Sequence, residues 1–262
     1  MRHPIVRLVC LVGALVLLAA CASTPQWPGV TAQPTGETTP GRWVWAELFT
    51  ADVAAARAFY GQVFGWGFRT VGDGPDAYTL IDNRGTPIAG MIHRAADADA
   101  TRSARWLGLL SVASVDAAAE HARQAGGTVG VAPRQLPGRG RVALIADPEG
   151  ARFGVLRSQT GDPPDVFPPP GGWLWRELWA RDGAAMAAFY APLGGYDVRL
   201  VDAGGGPAER RLLAGGYPRA GILELQFEGL PSAWLHYVRV ANLEDTLERV
   251  RRAGGTVLVA PA

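Results

Sequence analysis

Residues 43–49, WVWAELF, are a nearly unbroken apolar run of seven strand-forming residues interrupted by Glu47, which predicts a strand. Asp52 then precedes an Ala-rich amphipathic stretch that ends in Phe59-Tyr60 and meets Gly61 and Gly65, which predicts a helix capped by Asp52 and closed by glycine. The alternating run YTLIDNRGTPIAGMIH predicts a hairpin turned at Asn83–Gly85. From Trp106 the order restarts: a strand, a helix capped by Ser114 and ended by Gly126-Gly127, the strand TVGVAP, and a hairpin within LPGRGRVALIADPEGARFGVLR. A strand, a helix and three strands, used twice, predict an α+β domain.

The pattern then repeats. WLWRELWARDGAAMAAFYAPLGGY (173–196) returns residues 43–66 at an offset of 130, and WLHYVRVANLEDTLERVRRAGGTVLVAP (234–261) returns residues 106–133 at an offset of 128. Its helices are predicted to start at Asp182 and Asn242, the first closing at Pro192 and Gly194-Gly195 and the second at Gly254-Gly255 before a strand TVLVAP, with a hairpin turned at Gly215-Gly216 and a further turn at Gly204–Gly206. Two repeated segments in one order predict tandem domains, 42–158 and 172–262, joined by a Pro-rich linker at 159–171. Copy two stops at Ala262 without counterparts for Arg134–Arg157, so it is expected to lack a loop and two strands. An open sheet edge would result, where the chain could self-associate.

The first 20 residues break this pattern. Arg2 and Arg7 precede an apolar run, Leu8–Ala20, that is shorter than the ~20 residues a membrane-spanning helix needs and has the form of a secretory signal. Leu18-Ala19-Ala20-Cys21 resembles the bacterial lipobox, which implies cleavage before Cys21 and its acylation, a membrane anchor, and a cell-envelope location (the outer membrane facing the periplasm in a Gram-negative host). Residues 21–41, rich in Ser, Thr, Pro and Gly, read as a lipid-anchored flexible tether.

Charge narrows the chemistry. Without residues 1–20 the chain holds 23 arginines against 24 acids, so nucleic acid is not an expected partner. It contains no lysine, which excludes Schiff-base chemistry and a Walker phosphate loop. With Cys10 removed and Cys21 acylated, neither a disulfide nor a thiolate site is expected.

The motifs W-x-x-E-L-x-x-x-D, A-x-x-F-Y, F-G-W, A-G-G-T-V and D-P-E-G-A-R-F-G-V resemble the vicinal oxygen chelate superfamily, which includes glyoxalase I, extradiol dioxygenases and bleomycin-resistance proteins. The resemblance implies paired βαβββ modules whose sheets curl around a cleft. It also implies metal-ligand positions on the first and last strands of the modules. Those positions fall on Trp45, Leu107, Gly90 and Gly154 in copy one, and on Trp175, Leu235 and Gly221 in copy two, none of which can bind a cation. His93, His236 and Glu224 stand one residue out of register, on the opposite face of their strands, and His121 is expected in solvent. No metal and no cofactor is therefore expected.

Period two places Trp43, Trp45, Glu47 and Phe49 on one face, repeated by Trp175, Glu177 and Trp179. Two roles fit the glutamates: a carboxylate between indoles that receives a small ligand, or a structural ion pair, with Arg141 as a partner for Glu47. The resulting expectation is a metal-independent small-molecule-binding lipoprotein, for sequestration or sensing, with ligand contacts at Trp45, Glu47, Phe49, Trp175, Glu177 and Trp179. The alternatives are a lyase, isomerase or dioxygenase with Glu47 as acid–base group, and a structural protein of the envelope. The D-P-E-G stretch reads as a turn.

Overall fold

The computed structural model describes residues 27–74, 77–95, 104–201, 208–226 and 229–261; the signal segment, Cys21 and the Gly204–Gly206 turn lie outside them. Domain 1 runs β1 (Trp43–Thr50), α1 (Val53–Phe64), β2 (Gly67–Val71), β3 (Tyr78–Asn83), β4 (Thr86–His93), β5 (Ala104–Ser111), α2 (Val115–Gln124), β6 (Thr128–Leu136), β7 (Gly140–Ala146) and β8 (Arg152–Ser158). Its strands form one sheet in the order β2-β3-β4-β1-β5-β8-β7-β6. Each half is a βαβββ module, and the two meet where β1 runs antiparallel to β5.

Domain 2 comprises β9 (Trp173–Ala180), α3 (Gly183–Gly194), β10 (Asp197–Val201), β11 (Glu209–Ala214), β12 (Tyr217–Glu224), β13 (Ala233–Val238) and α4 (Leu243–Arg252). The sheet order is β10-β11-β12-β9-β13, which repeats one module and leaves β13 at an edge. Residues 256–261, whose counterpart begins β6, form no strand, and Leu258 and Val259 are 90% and 77% exposed. Without a partner equivalent to β7 beside them, their backbone groups gain nothing from extending.

Local chemistry sets the boundaries. Asp52, Ser114, Asp182 and Asn242 each accept a backbone N–H of the following helix's first turn. Both predicted hairpins are present. Arg84-Gly85 and Gly215-Gly216 take positive φ at both central positions, as a two-residue turn matched to strand twist requires. Pro192 does not end α3: it lies in the last turn, and the helix continues to a left-handed Gly195.

The domains pack through their convex faces. One core joins Val115, Ala118 and Phe153 to Met186, Phe189, Tyr190 and Trp234, and a second joins Trp66 and Trp106 to Trp173. Helix α1 lies on α4, and α2 on α3. The D-P-E-G turn does more than reverse the chain: Glu149 accepts the backbone N–H groups of Arg181 and Asp182, both at 2.7 Å, and the Ser232 hydroxyl, while the Tyr190 hydroxyl donates to Asp147 at 2.9 Å. His121, expected in solvent, instead bonds the Phe189 carbonyl through Nε2 (2.9 Å), because α2 faces domain 2.

The segment expected as a loose tether is tied down over residues 27–41. The backbone N–H groups of Trp27 and Thr35 donate to the carbonyls of Pro137 and Thr160, and Val30 is wholly buried. The Pro-rich linker is likewise fixed: Asp162 accepts the Thr39 N–H and the Ser111 hydroxyl, both at 2.7 Å.

Candidate functional site

The concave face of domain 1 is built on a lateral row of paired residues, Leu80–Gly90–Glu47–Leu107. Glu47 is 6% exposed and closely engaged. Arg139 Nη1 donates to its Oε1 at 2.7 Å, Trp45 Nε1 to the same oxygen at 3.0 Å, and the Tyr78 hydroxyl to Oε2 at 3.0 Å. Arg139 Nη2 donates to the Tyr78 oxygen (2.9 Å), and its Nε donates to the Pro28 carbonyl (2.5 Å). The guanidinium also stacks 4.8 Å from the Trp45 ring centroid.

Burial pushes the Glu47 carboxyl up, while Arg139, Tyr78 and Trp45 pull it back. Burial opposes the charge on Arg139, yet Tyr78 and Glu47 hold its pKa above the ordinary value. With three donors on the carboxylate, the pair is ionic. Of the two roles open to Glu47, the geometry supports the ion pair, but the partner is Arg139. Arg141 pairs with Asp116 at 2.6 Å instead.

The network is roofed by the chain's own N-terminal segment. Trp27 meets Tyr78 edge-on at 5.3 Å, and Val30 joins the Trp45, Leu107 and Leu109 cluster. Tyr78, Arg139, Trp27 and Pro28 were not singled out by the sequence. The face pattern also errs at Trp43: a register shift between Trp43 and Trp45 turns Trp43 away from the cleft, into the core shared with Trp234.

The implied metal positions do face the cleft, but they do not fit a cation. A Cβ built at Gly90 would overlap the Tyr78 hydroxyl and the Glu47 carboxylate, and one at Gly154 would overlap Leu109. Trp45 and Leu107 offer no donor, and the one nearby carboxylate is already bonded. Among the described residues no three His, Cys, Asp or Glu side chains converge.

Beyond Leu107 the cleft remains open as a cavity of about 470 Å³, lined by Phe49, Val131, Leu144, Arg94, Arg105 and Arg152 among others. Phe49 is thus the one predicted contact of domain 1 that borders free space, whereas Trp45 and Glu47 are enclosed. In domain 2, Trp175, Glu177 and Trp179 lie half-buried on the five-stranded sheet. Glu177 accepts Trp179 Nε1 (2.7 Å) and the Tyr237 hydroxyl (2.8 Å), and among the described residues no second module covers them.

Comparison with known proteins agrees with this architecture. The chain is 31% identical to the anthracycline biosynthesis protein DnrV of Streptomyces peucetius over 85% of its length and 86% of that protein's. It is 28% identical to CFP32 of Mycobacterium tuberculosis, whose name assigns it provisionally to the glyoxylases, over 83% and 84%. The fold is similar to that of a Mn(II)-bound glyoxalase from Novosphingobium aromaticivorans, with a TM-score of 0.55 and 20% identity over 83% of this chain and 72% of that one. The Glyoxalase/Bleomycin resistance protein/Dioxygenase superfamily model matches residues 42–155. With its paired modules, its cleft and these relatives, the chain belongs to the Glyoxalase/Bleomycin resistance protein/Dioxygenase superfamily.

Proposed function

We propose that this protein is a metal-independent binder of a planar organic molecule, held in the open part of the domain 1 cleft. The observation that carries the reading is the pair of glycines at implied ligand positions. The space beside Gly90 and Gly154 is filled by Tyr78, Glu47 and Leu109, while a cavity of about 470 Å³ persists next to them. Its walls are apolar (Phe49, Leu107, Leu144), and among the described residues the charged ones lining it are arginines. This combination suits an aromatic body carrying carbonyl, phenolic or carboxylate oxygens. Relatives named for anthracycline biosynthesis support a polycyclic ligand. Glu47 is not part of the binding surface, so an acid–base role for it finds no support.

The test is calorimetric titration of the EDTA-treated chain with anthraquinone-2-carboxylate, and separately with Zn²⁺, Ni²⁺, Mn²⁺ and anaerobic Fe²⁺. The reading expects ligand binding without metal, weakened about tenfold or more by Phe49→Ala or Arg152→Ala. Stoichiometric metal binding tighter than about 1 μM would sink it.

In the same reading, acylated Cys21 tethers the protein to a membrane; what supports this is that Leu18-Ala19-Ala20-Cys21, at the end of the apolar run Leu8–Ala20, resembles a lipobox. No helix among the described residues is long and apolar enough to cross one. Cys21→Ser is expected to move the protein from the membrane to the soluble fraction; unchanged partition would reject the anchor.

A further inference from the structure

A second candidate site lies between the domains, where a buried arginine has no counter-charge. Arg176, on β9, is 3% exposed. Its Nη1 donates to the Trp175 carbonyl at 3.1 Å, its Nε has no partner, and its guanidinium lies 4.5 Å from the Trp173 ring centroid. No carboxylate offsets the burial, which alone pushes its pKa down to about 9.

Across the β9–β13 ladder Arg176 stands opposite His236, a second base. The corresponding pair in domain 1 is Ala46 opposite Gly108, so the fold itself does not require charge at this place.

Arg176 borders a cavity of about 640 Å³ walled by Trp43, Trp173, Trp175, Arg42 and Arg219. Arg42 and Arg219 share a single carboxylate, Asp165, at 3.3 and 2.8 Å. Arg42 also lies in the field of Asp162 and donates to the Pro163 and Pro164 carbonyls (2.8 and 3.2 Å), so among the described residues it is Arg176, of the three guanidinium groups, that has no carboxylate. Arg219 Nε and the Trp43 indole N–H are also buried without acceptors. A buried charge without a partner is costly, and cation–π contact returns only part of that cost. The unpaired groups of the cavity lining, Arg176 Nε, Arg219 Nε and the Trp43 indole N–H, are donors set between aromatic walls.

We infer that this interdomain cavity binds a planar organic anion, whose acidic group pairs with Arg176 and whose apolar body lies against the tryptophans. The site is separate from the domain 1 cavity and does not depend on the reading given for it.

The test compares 2-naphthoate with its neutral isostere 2-naphthamide, titrated into the full chain in detergent and followed by calorimetry and tryptophan fluorescence. The acid is expected to bind with a Kd below about 1 mM, at least about tenfold more tightly than the amide, and more weakly as salt is raised. Arg176→Leu should lose about tenfold or more for the acid and little for the amide. Arg219→Gln, at a partly exposed side chain near the edge of the cavity, serves if Arg176→Leu fails to fold, and should weaken the acid more than the amide. Arg152→Ala, in the domain 1 cavity, separates the two sites: binding that survives it but not Arg176→Leu belongs here. Equal affinity for acid and amide, equal affinity in wild type and Arg176→Leu, or no binding at about 10 mM overturns the inference.

Discussion

Replacing Arg139 with methionine tests the claim that Glu47 is a structural anion. The two side chains are 1% and 7% exposed and 2.7 Å apart, so no water can replace the lost guanidinium without opening the cleft. Removing one partner of such a pair leaves an uncompensated buried charge and costs about 3–5 kcal/mol. Lost bonds to Tyr78 and Pro28 fall within that range rather than adding to it. At a urea dependence of about 2 kcal/mol per M, the midpoint should fall by about 2 M. The double variant Glu47→Leu/Arg139→Met removes both charges and should recover at least about 2 kcal/mol of the loss. Urea denaturation followed by tryptophan fluorescence reads all three proteins.

The pH dependence supplies a second check. Burial raises the Glu47 pKa, and without Arg139 nothing charged pulls it back. A carboxyl whose folded-state pKa lies above its unfolded value binds a proton preferentially in the folded state. Its contribution is present at low pH and is lost as pH rises through the folded pKa. Arg139→Met should therefore regain stability on acidification from neutral pH, by up to about 1.4 kcal/mol per pH unit. An Arg139→Met loss below about 1 kcal/mol, or a double variant no more stable than the single, would refute the reasoning.

Three further outcomes follow from other parts of the molecule. Burial, reinforced by Arg176, holds the His236 pKa well below 6.5, so its stabilising share is present above that pH and is lost as pH falls below it. The wild type should lose up to about 1.4 kcal/mol per pH unit there relative to His236→Leu; parallel pH profiles would contradict this. Gly90→Ala forces a methyl group onto Tyr78 and Glu47 and should cost about 1–3 kcal/mol in urea denaturation, where a neutral result would mean the row has slack. Glu149→Ala leaves the backbone N–H groups of Arg181 and Asp182 without their acceptor and should lower stability by about 1–3 kcal/mol, an effect to be sought by thermal unfolding and absent if water replaces the carboxylate.

Most of the architecture is legible in the chain because it rests on local chemistry. Alternation, four capping residues and two glycine-bearing turns fix the elements, and the duplication predicts those of the second copy except at residues 256–261, where the expected strand does not form. The register that the resemblance supplied is met in the sheet, where Glu47 pairs with Gly90 and Leu107, and Leu109 with Trp45 and Gly154.

What sequence could not supply is pairing at long range. Arg139 and Arg141 look equivalent two residues apart in P-G-R-G-R, yet one enters the core and the other meets Asp116 on α2. Gly140, between them, has φ of +125° and follows a turn, so strand parity does not reach back to Arg139. The shift at Trp43 leaves no signature either, because tryptophan suits both faces of β1: one is the cleft, the other the interdomain core. Residues 27–41 misled for a different reason. A Pro/Gly/Thr-rich composition signals that a segment cannot make a core of its own, but it is silent on whether Trp27 and Val30 can complete someone else's. Here the cleft of domain 1 presents Tyr78 and Leu107 as an apolar face, and the segment that covers them takes the place a larger ligand would fill. The part of the cleft left open is therefore defined by the chain's own N-terminal segment as much as by the superfamily fold.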